Sequence, residues 1–355
     1  MALHLAVCVV FVLRRSVDPL ANRLLAALLV VIIGMMTPQM LGFAGFYDAF
    51  PWLTFWPFAN ALAAGPLVYA YVLALTEKRL PRHFVLLLAP AILEFVYSLY
   101  WCFRPVADRW AFTDAVHDPW IVPVLNMLQL LLTCGGLLAA LYQYRRYRAW
   151  LPEHSSATAD FDPRWVPVSL AILAAPALVS GGYDLADLVF GPLDYFERFP
   201  LFLVLAAGAY ALSLGALLQP RVAFPSAAAA DDKRKPEPEP AQDWSVEADR
   251  VRTELIARGW HLEPRLSLGE LAQRLGESEP HVSRAINQGA GVNFNRFVNE
   301  VRVEAAKERL ALGAEDVLAA ALDCGFNSKA TFNRVFREIV GMTPSAFRRA
   351  AVTSA

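Results

Sequence analysis

Apolar residues run almost unbroken through the first 220 positions, then give way to a helical alternation of apolar and charged residues. Leu24 to Thr76 holds a single charged residue, Asp48, and Pro119 to Tyr144 holds none. A bilayer core about 30 Å thick takes roughly 20 mostly apolar residues as a helix. Six segments satisfy this: residues 20–42, 52–75, 83–103, 119–143, 165–190 and 199–219. A seventh, Ala2 to Leu13, has only 12 residues and would span about 18 Å at 1.5 Å per residue. It is a short packed helix, or the true start lies upstream. It lacks the positive leader and small-residue site of a cleavable signal peptide.

Residues 221–243, RVAFPSAAAADDKRKPEPEPAQD, lose the apolar pattern and read as an exposed linker, with polyproline II favoured over PEPEP. From Trp244 the period becomes that of soluble helices. Leu268, Leu271, Ala272 and Leu275 share one face and stop at Gly276; Ser278 then caps a helix opening Glu279-Pro280, with Val282 and Ile286 as its buried pair. Helix, glycine turn and short helix make a helix-turn-helix. The pattern returns about fifty residues on. Val317 to Cys324 ends at Gly325, and Ser328 caps a helix with Phe332, Val335, Phe336 and Ile339 on its apolar side. Its other side carries Lys329, Asn333, Arg334 and Arg337, and Asn295 to Leu312 connects the two units.

Composition fits this division: 56% of residues are apolar and the mean hydropathy is +0.37, high for a soluble chain. The fold class expected is all-α: a polytopic transmembrane helix bundle of six or seven spans over 1–220, a linker over 221–243 and a soluble domain over 244–355. Orientation follows from the basic residues. One set of loops holds Arg14, Arg15, Arg23, Lys78, Arg79, Arg82, Arg145, Arg146, Arg148 and Arg164; the alternate set holds Arg104, Arg109 and Arg198. The richer set is cytoplasmic, and parity puts everything after Gln219 in the cytoplasm with six spans or seven. Trp52, Tyr100, Trp101, Trp110, Trp120 and Tyr195 fall near outer ends, as an interfacial belt. Cys8, Cys102, Cys134 and Cys324 form no CxxC or Cys/His spacing, so neither zinc nor a disulfide framework is expected, and no cofactor.

The stretch CGFNSKATFNRVFREIVGMTPSAFR resembles the second helix-turn-helix signature of the AraC/XylS family of bacterial transcription regulators. LSLGELAQRLGESEPHVSRAINQGAGVNFNRFVNEVRVEAAKERL resembles the first. The likeness covers about residues 245–350 and implies two recognition helices entering successive major-groove segments of promoter DNA, as a homodimer, with RNA polymerase as a further partner. Carried over by position, base-edge readers are Pro280, Ser283 and Arg284 in the first helix, and Lys329, Ala330, Asn333 and Arg334 in the second. Arg284 and Arg334 suit guanine, Asn333 suits adenine, and Pro280 and Ala330 offer only apolar contact. Arg348 and Arg349 suit phosphate or solvent; for Arg337 a phosphate contact and a solvated face both stand. One departure is charge. Residues 244–355 hold 15 Lys/Arg against 14 Asp/Glu, with Glu270, Glu277 and Glu279 crowding the first unit. Weak binding by one copy, a dominant second unit and a need for dimerisation are therefore expected.

Ionisable groups inside spans are functional candidates. Glu94 is mid-span, as a sensor or a hydrogen-bonded bundle residue; Asp184 and Asp187 share a helix face near an outer end, with Tyr183, lining a ligand pocket or simply meeting water. Asn60, Asn126 and Gln129 suit interhelical hydrogen bonds. No HExxH, Ser/His/Asp or Cys/His arrangement marks an enzyme. The leading expectation is a membrane-embedded one-component regulator with an unknown signal ligand. Two others remain: a transporter or membrane enzyme with a DNA-binding tail, and a C-terminal module that binds protein instead of DNA.

Overall fold

The computed structural model describes residues 2–43, 49–50, 53, 55–191, 197, 199–218, 224–227, 243–311 and 316–353. Among these, regular structure is helical apart from one isolated bridge between Ser155 and Ser267. The chain divides into two compact units. The first comprises Met1–Arg146 and Pro163–Ala230; the second comprises Tyr147–Asp162 and Asp231–Ala355.

The first unit contains α1 (Ala2–Leu13), α2 (Pro19–Phe43), α3 (Ala64–Glu77), α4 (Phe84–Cys102), α5 (Val106–Phe112) and most of α6 (Val122–His154), followed by α7 (Trp165–Phe190) and α8 (Phe199–Leu218). Among the described residues, four stretches are long and apolar enough to cross a membrane: Pro19–Gly42, Phe84–Cys102, Val106–His154 and Thr158–Asp187. Ala61–Glu77 and Phe199–Gly208 are apolar but shorter. Within the segment expected to span 52–75, continuous helix among the described residues begins at Ala61, with 3-10 backbone at Leu53 and Phe55 before it. Pro57 sits in the way, disfavouring helical backbone at Trp56 and supplying no amide. The short α1 packs on α2 and α8, burying Leu5, Cys8 and Val12.

Close helix contact in this unit comes from small residues. A methyl group added at Gly136 of α6 would sit 2.2 Å from the Gly65 carbonyl oxygen of α3, so the two backbones meet with nothing between them. Asn60 donates to the Ala91 carbonyl of α4 at 2.6 Å, the interhelical bond expected of it. At one end Glu77 is buried and takes hydrogen bonds and ion pairs from Gln143, Arg79 and Arg146, while Lys78 pairs with Asp18. Part of the basic loop set is thus matched by local acids. The linker's Phe224 is buried, and the Ala227 amide donates to the Thr76 carbonyl at 2.9 Å, so this stretch is docked and not a free spacer. The rest of 221–243, apart from Ser226, Pro225 and Asp243, lies outside the described residues. So do Trp52 and Tyr195 of the aromatic belt; Tyr100, Trp110 and Trp120 are exposed, and Trp101 stacks on Phe112.

The second unit holds α9 (Trp244–Ala257), α10 (Leu268–Leu275), α11 (Glu279–Arg284), α12 (Phe294–Ala311), α13 (Val317–Asp323), α14 (Lys329–Val340) and α15 (Pro344–Thr353). Two cores share α12. Phe294, Phe297, Val298 and Val301 pack with Leu255, Leu271, Val282 and Ile286. Val303, Ala306 and Leu310 pack with Val317, Phe326, Phe332 and Phe336. A single helix buried at both ends fixes the two halves to each other.

Candidate nucleic-acid interface

Each half is a helix-turn-helix whose punctuation is visible in its hydrogen bonds. Ser267 caps α10 by accepting from the Glu270 amide, and Glu270 reaches back to the Ser267 amide at 2.8 Å, a reciprocal capping box. Gly276 ends α10 in a left-handed conformation, and Ser278 caps α11 by accepting from the His281 amide. Val282 and Ile286 are fully buried, as their spacing requires. After Gly289 the chain enters α12.

In the second half Gly325 has φ +83°, and a Cβ there would lie 2.6 Å from the His261 carbonyl oxygen. Only glycine meets both demands without distortion. Ser328 caps α14, accepting from the Thr331 amide at 3.2 Å. Phe332, Val335 and Phe336 are buried, which leaves the opposite face of α14 outward. Lys329, Ala330, Arg334 and Arg337 are exposed there, with Asn333 half-buried beside them. Arg334 pairs with Glu338 one turn on, at 3.5 Å. That exposed pair is worth at most about 1 kcal/mol, little resistance to exchanging it for a base or phosphate.

The first reading helix is more encumbered. Pro280 and Ser283 are half-buried, and the Asn287 side chain donates to Ser283 Oγ at 3.2 Å. Arg284 lies with its guanidinium 5.4 Å from the Trp244 ring centroid and its Nε 3.4 Å from the Pro280 carbonyl. It must leave the indole to reach a base edge. The three acids that crowd this unit are all engaged. Glu270 sits in the capping box, Glu277 pairs with Arg250 at 3.1 Å, and Glu279 faces His154 at 3.8 Å. Their repulsion of a phosphate backbone is correspondingly reduced. Arg348 is half-buried and Arg349 exposed on α15, and both have partners within the chain.

Glu247, Glu277 and His281 bring their ligand atoms within 4.8 Å of one another. Arg250 bonds to both glutamates, at 2.9 and 3.1 Å, so a guanidinium occupies the space between the carboxylates that a cation would use. Hydrogen bonding to Arg250 holds the Glu247 carboxyl below its ordinary range, and Arg274 does the same for Glu263.

Two features escaped the sequence reading. Arg302 of α12 is 2% exposed and donates to the His261 carbonyl at 2.7 Å, the Glu263 carbonyl at 2.6 Å and Ser156 Oγ at 3.2 Å. Burial pushes its pKa down to about 10, so it remains cationic at neutral pH, held by neutral oxygens and the Phe326 ring. The second is Ser156 itself. Residues 147–162, the end of α6 and the turn after it, belong to this unit. The Ser156 amide and hydroxyl donate to the Leu266 carbonyl at 3.1 and 2.8 Å, and Asn295 donates to the Ser156 carbonyl at 2.7 Å. Asp160 accepts from Asn327 at 2.6 Å and pairs with Arg265. A strap from the long helix thereby touches α12 and the turn preceding α14.

Of the sensor candidates, Glu94 is half-buried on α4; the Leu62 amide donates to its carboxylate, and its Oε2 is buried without a hydrogen-bond partner. Asp187 is half-buried with partners of its own, and Tyr183 donates to the Glu197 carbonyl at 3.1 Å. The Asp184 side chain lies outside the described residues.

Residues 271–350 match the family model described as a helix-turn-helix domain. Over 95 residues the chain is 39% identical to an uncharacterized HTH-type transcriptional regulator of Staphylococcus aureus (strain COL), covering 26% of this chain and 13% of that protein. Over 83 residues it is 37% identical to an HTH-type transcriptional regulator of Mycobacterium tuberculosis (strain ATCC 25618 / H37Rv), covering 23% of this chain and 32% of that one. The chain thus spans between about an eighth and a third of the length of these relatives. No solved structure matches it. The C-terminal part of the chain carries an AraC-type helix-turn-helix domain, built as two units on one shared helix.

Proposed function

We propose that this protein is a one-component transcription regulator embedded in the bacterial cytoplasmic membrane, with its C-terminal unit in the cytoplasm reading double-stranded promoter DNA. The observation that carries this is α14: a capped helix whose buried face is fully apolar and whose outward face presents Lys329, Asn333, Arg334 and Arg337. Arg334 grips guanine and Asn333 adenine, while Lys329 and Arg337 meet base edge and phosphate. On α11 Pro280, Ser283 and Arg284 add a second, weaker set. The relatives' printed names, HTH-type transcriptional regulators, support the same reading for the matched region. With 15 basic against 14 acidic residues in 244–355, one copy neutralises few phosphates, so two copies bind together. RNA polymerase is the expected further partner.

The four long apolar helices and the basic loops support membrane embedding with this orientation. The route from bundle to DNA is α6. It is 33 residues, about 50 Å of helix, and its last turns and the strap after it belong to the DNA-reading unit. A signal that shifts α6 moves Ser156, and with it Asn295 and Arg302 on the helix that both readers share. Recovery of genomic fragments by cross-linking to the full-length protein tests the reading. Wild type should enrich a few promoters, and Arg334→Ala should lose them. Equal recovery by the two proteins would sink the DNA-reading role.

A further inference from the structure

The apolar unit contains a cavity of about 300 Å³ among α2, α3, α6, α7 and α8. Its walls are mostly apolar, leucine and alanine above all, as in the sites that hold small organic ligands. Besides Gln39 of α2, which has a partner within the chain, four uncharged polar side chains face it: Asn126, Gln129 and Thr133 of α6, and Ser180 of α7. The spacing of the first three, by three and then four residues, puts them on one face of α6. All four are half-buried, and among the described residues none makes a side-chain hydrogen bond. The contrast with Asn60 is direct, because Asn60 spends its amide on the Ala91 carbonyl. Asn126 and Gln129 suited the same interhelical role by sequence, and among the described residues they make no such bond. In a bilayer interior an amide without a partner is costly, so such a row demands polar atoms from outside the protein. The described lining holds no charged side chain. An anion, an ammonium group or a metal ion would enter without a counter-charge and would be rejected.

We infer that this cavity is a binding site for a small uncharged amphiphile, one with a hydroxyl, carbonyl or amide at one end and an apolar body. The polar end pairs with Asn126, Gln129, Thr133 and Ser180, and the body lies against the aliphatic walls. Such a molecule reaches the site by partitioning into the bilayer. The same α6 that carries three of the four polar groups continues into the DNA-reading unit, so occupancy has a direct mechanical outlet. The inference rests on the membrane-embedded regulator reading and names the chemical class of its signal.

The test uses full-length protein in dimyristoyl phosphatidylcholine nanodiscs, with the neutral fluorophore N-phenyl-1-naphthylamine as probe and 1-decanol, decanoate and decane as competitors. Decanol should displace the probe at least tenfold more effectively than decanoate or decane. Gln129→Leu should reduce that preference about tenfold, and Thr133→Val, nearly isosteric, should reduce it in the same direction without threatening the fold. Equal competition by decane would show a cavity that takes any chain and would overturn the proposal, as would better competition by decanoate, or Gln129→Leu and Thr133→Val variants that keep wild-type selectivity. No DNA is present, so failure here leaves the promoter result untouched, and loss of promoter recovery leaves this site intact.

Discussion

Replacing Arg302 by methionine removes the guanidinium from the middle of the DNA-reading unit while keeping much of its volume. The His261 carbonyl, which accepts from it at 2.7 Å, loses that donor in a buried setting, while the Glu263 carbonyl, which accepts at 2.6 Å, keeps the Leu266 amide at 3.3 Å. One orphaned buried acceptor costs about 1–3 kcal/mol, and the lost charge-assisted bond to Glu263 adds to it. Ser156 Oγ loses a donor too, but keeps its own bond to the Leu266 carbonyl. Some of the loss is offset, because a desolvated cation is also removed, the desolvation that lowers its pKa to about 10. The net expected is about 2–4 kcal/mol of destabilisation. Arg302→Lys keeps the charge but cannot fork between two carbonyls, and should cost about 1–3 kcal/mol. Urea-dependent pulse proteolysis of the full-length protein, following the C-terminal fragment, reads these values. A double-mutant cycle with Ser156→Ala adds the strap: the two should couple by roughly 0.5–1.5 kcal/mol, as contacting residues do. An Arg302→Met midpoint within about 1 kcal/mol of wild type would refute the role given to this side chain. Zero coupling to Ser156 would detach the strap from it.

Gly325→Ala should destabilise the same unit by several kcal/mol, since strain at positive φ adds to a Cβ placed 2.6 Å from the His261 carbonyl oxygen; the pulse-proteolysis midpoint checks it. On DNA, Arg334→Ala should cost about 1–3 kcal/mol and relax sequence preference at one base. Arg337→Ala should weaken binding evenly across sequences and lower the salt slope by about one, both read by titration at several salt concentrations. Glu247 and Glu263 have depressed folded pKa values, chiefly through hydrogen bonds from Arg250 and Arg274. Their stabilisation is complete above the ordinary value of 4.5 and is lost as pH falls through the lower folded values. The proteolysis midpoint should therefore drop on acidification below about pH 4.5, and Glu247→Gln should flatten that drop.

The two helix-turn-helix units were legible because their signals are local. Serine caps at 278 and 328, glycines at 276 and 325, and one apolar face per helix all lie within a few residues of what they determine. The reading of Val282, Ile286, Phe332, Val335 and Phe336 as buried follows from the same short-range period. The strap left no such trace. It is held by backbone groups of Ser156 and Leu266, 110 residues apart, and nothing in either stretch marks the pairing. Arg302 looked like any basic residue of a connecting helix, because its burial depends on three loops meeting around it. The charge count could not show that Glu277 and Glu279 are engaged, because their partners, Arg250 and His154, are tertiary. The polar row on α6 could be seen in the sequence, but whether it faced a helix or a cavity could not.

The central claim is a DNA reader held at the inner face of a membrane. Sealed vesicles of opposite sidedness, made from cells producing the full-length protein, test it in one binding assay with sheared genomic DNA of those cells. Inside-out vesicles should retain DNA in a salt-sensitive manner, right-side-out vesicles should not, and inside-out vesicles carrying Arg334→Ala should lose most of it. Retention by right-side-out vesicles, or recovery of the DNA-binding protein in the soluble fraction, would contradict the account.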